Sequence, residues 1–207
     1  MKNTKELIVQ KALELFNEKG IEYGGMRELA ALLNMRVGNI TYYFATKDDL
    51  VGELMNRLAE ANTNTAKNYD LASLKGLLKM YREMFHNQYI YKCLFMSLVH
   101  LFTHHKGLVE QYKITEKKRK QRLADACKAM IDNGYLKQDA DYNINGKIIA
   151  HVSLIARFWI SESIVSYYDK STEYVMCHYL NLISDEFLPY ATSKGKKDIE
   201  AFLTEIT

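Results

Sequence analysis

A chain of 207 residues with 48 % hydrophobic content can bury one large core or two small ones. One proline and ten glycines leave few breaks, and no region alternates apolar with polar residues for long, so an all-α fold is expected and a substantial sheet is not. The formal charge of +3 identifies no partner, and three cysteines without a CxxC pair signal neither a disulfide framework nor a zinc site.

The N-terminus turns amphipathic at once, so no signal peptide is expected. No apolar run approaches the ~20 residues of a membrane span. A cytoplasmic protein, with no membrane partner, is the simplest expectation.

Helix one is expected to start after Thr4 as N-cap, to bury Ile8, Ala12, Leu15 and Phe16, and to end at Gly20. Helix two should cover Met26–Leu33, with Met26, Leu29, Ala30 and Leu33 inward. Asn34 can take the left-handed conformation that a sharp turn needs. Helix three should run from Val37 to Tyr43, with Ile40 and Phe44 inward. Thr46 then caps helix four, with Asp48 and Asp49 in its first turn.

Two short helices, a tight turn and a capped third helix make the shape of a helix-turn-helix reading head for DNA. In such a head a few side chains at the start of the second helix enter the major groove. Arg36, Val37 and Asn39 stand there: Arg can pair with guanine, Asn with adenine, and Val can touch a thymine methyl. Gly38 would let the helix approach the DNA backbone closely. Tyr42 and Thr41 could offer hydroxyls to phosphates. Lys47, beside free backbone N–H groups at a helix start, and Arg27, in the first turn of helix two, could do so with charge. Lys2 and Lys5 could reach the backbone or the minor groove. Acids balance bases across the first fifty residues, so any positive face has to come from how the charges are gathered.

Helix four is expected to reach about Ala61, with the polar run Asn62–Thr65 as a candidate boundary. Further helices are expected at about Leu71–Asn87, Tyr91–Phe102, Lys106–Asn133, Ile144–Tyr168, Thr172–Leu188 and Lys197–Ile206, with Gly134 and Pro189 as stops. The Ile144–Tyr168 helix is apolar round nearly its whole circumference, which calls for burial on every side. One partner for that surface is a second copy of the chain, through Ile160, Ile164, Leu180, Leu182, Ile183 and Phe187; the alternative is that both helices lie inside the core of a single chain. His151 and Arg157, inside this helix, must be hydrogen-bonded or paired if buried.

The segment between Leu77 and Trp159 is rich in aromatic and Met residues. Tyr81, Phe85, Phe95, Val99, Phe102, Met130, Phe158 and Trp159 could line an apolar cavity, or could simply be core. His100 and His104 are spaced four apart with His105 following, but no third ligand stands nearby, so no metal is expected. The basic run Lys117–Lys120 with Arg122 reads as a solvated helix face. No phosphate loop, HExxH or nucleophile motif suggests catalysis, and no cofactor is expected.

Gly20, Leu29-Ala30, Gly38, Tyr42, Tyr43, Phe44 and Thr46-Lys47, in this order and spacing, resemble the tetracycline-repressor (TetR) family of bacterial transcription regulators. The likeness covers about the first fifty residues, and the rest is similar in length and helix pattern. Departures are Gly24-Gly25 where the family usually has a Ser or Thr cap, Asn34 for a turn Gly, Arg36 for Ser, and Thr41 for Tyr. The resemblance implies a three-helix DNA-binding domain over residues 1–47 and a helical ligand-binding and dimerisation domain over 48–207. It also implies a homodimer on a palindromic double-stranded operator, acting as a repressor and released by an apolar or aromatic small molecule. The alternatives are a DNA-binding regulator that responds to no ligand, and an all-helical carrier or enzyme.

Overall fold

The computed structural model describes residues 2–104, 106–138 and 144–206. Among them there is no strand; a single antiparallel bridge joins Leu136 to Ala191. In chain order the helices are α1 (Lys2–Lys19), α2 (Met26–Leu32), α3 (Val37–Thr41), α4 (Lys47–Lys67), α5 (Leu74–Ile90), α6 (Lys92–Met96), α7 (Leu98–His104) and α8 (Lys106–Asp132). A π turn, Ile144–Ile148, leads into α9 (Ile149–Ser166), followed by α10 (Thr172–Phe187), a 3-10 turn at Leu188–Tyr190, and α11 (Ser193–Ile206).

The chain gathers into two compact units, Met1–Asn62 with Asn87–Val109, and Thr63–His86 with Glu110–Thr207. It passes from one to the other within α4, α5 and α8. α4 runs unbroken through Asn62–Thr65 and ends six residues beyond the expected Ala61.

In the first unit Ile8, Ala12, Leu15 and Phe16 of α1 close on Leu29, Ala30, Ile40, Phe44, Leu50 and Leu54. α1 starts at Lys2, so Thr4 lies in its first turn and does not cap it. It ends at Gly20, φ +88°, whose N–H donates to the Phe16 carbonyl at 2.9 Å. α2 ends in a Schellman turn: Met35 N–H reaches Ala30 O at 2.9 Å and Asn34 N–H reaches Ala31 O at 3.0 Å, with Asn34 left-handed at φ +52°. Thr46 and Asp49 exchange a capping box at the start of α4: Thr46 N–H donates to Asp49 Oδ2 at 2.9 Å, and Asp49 N–H donates to Thr46 Oγ1 at 3.1 Å.

The single helix expected over Tyr91–Phe102 is two, broken at Ser97. The buried Ser97 hydroxyl donates to Glu22 Oε2 at 2.7 Å, and its backbone leaves helical geometry. The Asn17 amide holds the other end of this segment, donating to Ile90 O at 2.7 Å and accepting from Cys93 N–H at 3.0 Å.

In the second unit Phe85 stacks on Trp159, ring centroids 4.6 Å apart, over a core that includes Leu74, Leu77, Met130, Phe187 and Phe202. α11 begins at Ser193 rather than Lys197, because the Thr192 hydroxyl accepts from Gly195 N–H at 3.2 Å and so caps the helix. A Cβ on Gly195 would stand 2.2 Å from the Tyr135 carbonyl, so only glycine allows this close approach.

The 21-residue stretch Gly146–Ser166 is long and apolar enough to cross a membrane by length and composition, which corrects the expectation that no run comes close. His151, Arg157 and Glu162 interrupt it, and their spacing hid its overall hydropathy. Only 28 % of its apolar window is buried within the single chain.

Candidate nucleic-acid interface

The reading head is held from behind. Ile40 and Phe44 anchor α3 in the core, Val37 and Tyr43 pack beside them, and the Asn34 turn and the Thr46–Asp49 box fix its two ends. Arg27, Arg36, Asn39, Thr41 and Tyr42 are thereby left exposed. Tyr42 is 72 % exposed, braced edge-on against Tyr43 at 5.0 Å. The Thr41 hydroxyl donates back to Gly38 O at 3.3 Å, as a helix-interior threonine commonly does.

The charges are sorted as neutrality of the segment requires. Glu6 and Glu53 are taken by Arg57, Glu14 by Lys11, and Glu28 by Lys19. Asp49 is spent in the cap. The side chains of Arg27, Arg36 and Asn39 have no hydrogen bond or ion pair among the described residues. Two guanidinium groups therefore face solvent without a neutralising acid, Arg27 in the first turn of α2 and Arg36 immediately before α3. The bidentate Arg57 holds the Glu6 carboxyl below its ordinary pKa, so this pairing persists into mild acid.

Two glycines have opposite surroundings. A Cβ on Gly24 would stand 2.6 Å from the Phe16 ring, which explains why a glycine precedes α2 where a larger residue would be in contact with the core. Gly38 has nothing within 4 Å of a Cβ position. No internal contact demands glycine there, and a helix-interior glycine costs ~0.5–1 kcal/mol relative to alanine.

Lys47 is placed differently from its neighbours. Its Nζ donates to the carbonyls of Ile21 at 2.8 Å and Glu22 at 3.4 Å, tying the start of α4 to the α1–α2 turn. Lys5 lies 3.4 Å from Glu53 and 5.4 Å over the Phe44 ring, engaged within the head. The side chain of Lys2 is outside the described residues, as are those of His104 and His105. Tyr23, 83 % exposed beside the start of α2, was not singled out from sequence; an aromatic residue immediately before Gly24-Gly25 was the available signal.

The residues expected to line a cavity divide between the units. Tyr81, Phe85, Met130 and Trp159 are buried in the second, with Phe158 half-buried. Phe95 and Phe102 are half-buried in the first, and Val99 is 68 % exposed. Burial pushes the Tyr81 phenol far above its ordinary pKa and the Cys127 thiol up to about 12.

Of the residues expected at a dimer face, Ile160, Leu180, Ile183 and Phe187 are buried in the core of the chain itself, and Ile164 is exposed. The exposed apolar residues of α9, α10 and their connection are Leu154, Ile164, Val165, Tyr168, Tyr174 and Leu182, of which Ile164 and Leu182 were expected at that face. His151 is exposed, with its Nδ1 2.9 Å from Glu186, and the partly buried Arg157 pairs with Glu116. Among the described residues no group of three or more His, Cys, Asp or Glu is arranged to hold a metal.

Two family models match the chain: "Bacterial regulatory proteins, tetR family" over residues 8–54, and "Bacterial transcriptional repressor" over residues 52–199. An HTH-type transcriptional regulator of Bacillus subtilis, YttP, is 35 % identical over 63 residues, 30 % of each chain. The HTH-type regulator LuxR of Vibrio harveyi is 34 % identical over 68 residues, 32 % of this chain and 33 % of that one. The match thus spans about a third of the length of these curated relatives. A TetR-family regulator from Marinobacter aquaeolei shares the fold at a TM-score of 0.86 and 17 % identity, over 98 % of both chains. Another, from Haloarcula marismortui, matches at 0.72 and 15 % identity, over 93 % of this chain and 100 % of that one.

Proposed function

The chain belongs to the TetR family of bacterial transcriptional regulators, and from this premise we propose that it binds a palindromic operator as a homodimer and represses transcription until a small molecule releases it. The observation that carries the DNA-binding part is that Arg27, Arg36 and Asn39 are exposed and unpaired, with Gly38 open and Tyr42 exposed on the same short helix and its end. Arg36, Val37 and Asn39 read bases in the major groove. Tyr42, Thr41 and Arg27, with the backbone N–H groups at the start of α4, hold phosphates and set the register. Lys47 contributes mainly by fixing the α1–α2 turn, with its remaining donor directed to the backbone.

The dimer forms through the exposed apolar face of α9 and α10. Leu154 and Val165 are eleven residues apart on one face of α9, with Tyr168 just past its end and Tyr174 and Leu182 on the next helix. Two heads on a two-fold body require half-sites about one helical turn, or a multiple, apart. An effector bound in the helical body acts by favouring a form of the dimer whose heads no longer match that spacing. α4 carries residues of both units and is the element through which such a change reaches the head. The protein works in the cytoplasm, where the operator is.

Selection of bound duplexes from a random pool with the purified protein tests this reading. A palindrome should be enriched, and its affinity should fall steeply with salt as phosphate contacts release counterions. Failure to enrich any sequence at low salt would sink the proposal.

A further inference from the structure

The second unit contains a cationic cluster that its own residues leave incomplete. Arg157 on α9 and Arg119 on α8 both stand beside the Tyr112 ring, their guanidinium carbons 5.4 and 5.1 Å from its centroid. Arg157 also lies 5.8 Å from the centroid of Phe158. One carboxylate, Glu116, serves Arg157 and, at 3.1 Å, Lys120. Two cations therefore share one carboxylate, and Arg119 brings a third positive charge to the same Tyr112 ring. Partial burial raises the Glu116 carboxyl, and the Lys120 and Arg157 cations outweigh it, holding its pKa below the ordinary value.

The guanidinium is not satisfied by that arrangement. Arg157 Nε is buried and has no hydrogen-bond partner among the described residues, although the side chain as a whole is 26 % exposed. A buried donor on a charged group left without an acceptor is costly, and such positions in native proteins need a reason. An anion meeting Nε would remove the cost and balance the charge. A flat apolar group attached to it would find the Tyr112 and Phe158 rings already in place.

We propose that Arg157 and Arg119 form a recognition site for the anionic head group, a carboxylate or sulfonate, of an amphipathic small molecule whose apolar part lies on Tyr112 and Phe158. Glu116 occupies part of the site when no ligand is present and gives way to the incoming anion. This rests on the reading of the helical body as the receiver of an effector, and it names that effector's chemistry: anionic at one end, apolar or aromatic at the other. It departs from the wholly apolar ligand that the aromatic content of the sequence suggests.

The test uses the intact protein and two probes that share a skeleton and differ in charge: 8-anilinonaphthalene-1-sulfonate and neutral N-phenyl-1-naphthylamine. Trp159 is the only tryptophan and lies two residues from Arg157, so energy transfer from it reports binding, and the Arg157 and Arg119 variants locate the site. The sulfonate should bind about ten-fold or more tightly than the neutral probe, the range for a charge-assisted hydrogen bond. Arg157→Gln should abolish the preference and leave the neutral probe's affinity unchanged, and Arg119→Gln should weaken it. Glu116→Gln keeps the shape, removes the internal competitor and should tighten sulfonate binding several-fold; a fall would overturn the proposal even if Arg157→Gln did not fold. Equal affinities for the two probes, or a preference that survives Arg157→Gln, would overturn it as well. The operator selection stands apart from these titrations, so loss of the anion site and loss of the DNA-binding reading are told apart.

Discussion

α3 and α9 expose opposite chemistry for opposite physical reasons. α3 is five residues long and buries only Ile40 fully; its ends are held by a Schellman turn before it and a capping box after it. Its order comes from neighbours, so its outer residues are free to be polar and unpaired. α9 is eighteen residues long and buries Ile149, Val152, Trp159 and Ile160, yet its outward side carries Leu154, Ile164 and Val165. A polar surface without internal partners suits a charged, hydrogen-bonding polymer. An apolar surface without internal cover suits a second copy of itself.

That contrast can be broken at its strongest point. If the proposed dimer uses this face, Leu154→Glu combined with Val165→Glu should leave a folded monomer sedimenting at the protomer mass of 24.0 kDa, because each change puts a charge into an apolar interface. A variant that remains dimeric would move the interface elsewhere. Next in size, Arg36→Ala should cost operator binding ~1–3 kcal/mol and relax selection at one base position. Tyr42→Ala should weaken binding evenly across sequences. Gel-shift affinities on a panel of single-base variants separate the two, and unchanged affinity in both would remove α3 from the interface.

The two glycines sharpen the comparison within the head. Gly24→Ala drives a Cβ into Phe16 and should destabilise the head by ~1–3 kcal/mol in thermal unfolding. Gly38→Ala meets open space and should instead stabilise it by ~0.5–1 kcal/mol. The same Gly38→Ala variant should bind operator less well, since the added methyl stands where the DNA backbone would approach. A stabilised protein with undiminished affinity would show that Gly38 faces nothing.

The head was legible because its determinants are local. Gly20 and Asn34 end helices by tolerating left-handed backbone, and Thr46 caps through a residue three positions on. Ile8, Ala12, Leu15 and Phe16 lie on one face by periodicity alone. Lys47 was less legible: its place at a helix start suggested phosphate, and the carbonyls that hold it belong to Ile21 and Glu22, 26 and 25 residues away. The break at Ser97 had no local sign, since the acceptor that holds its hydroxyl is Glu22, 75 residues earlier.

By itself the sequence determined that the chain is helical, how α1 and α2 end, the Thr46 cap and the inward face of the head, because backbone preference and side-chain period act over three or four residues. Only the tertiary structure decided which apolar residues are core and which are surface. Ile160, Leu180, Ile183 and Phe187 look no different in sequence from Leu154 and Val165, yet the first four are inside the protomer and the last two are exposed. It likewise decided that Glu116 would be the carboxylate shared by Arg157 and Lys120, leaving Arg157 Nε without an acceptor. Burial and pairing depend on what distant segments bring to a position, and a helix that is apolar all round carries no periodicity to say which side will be covered.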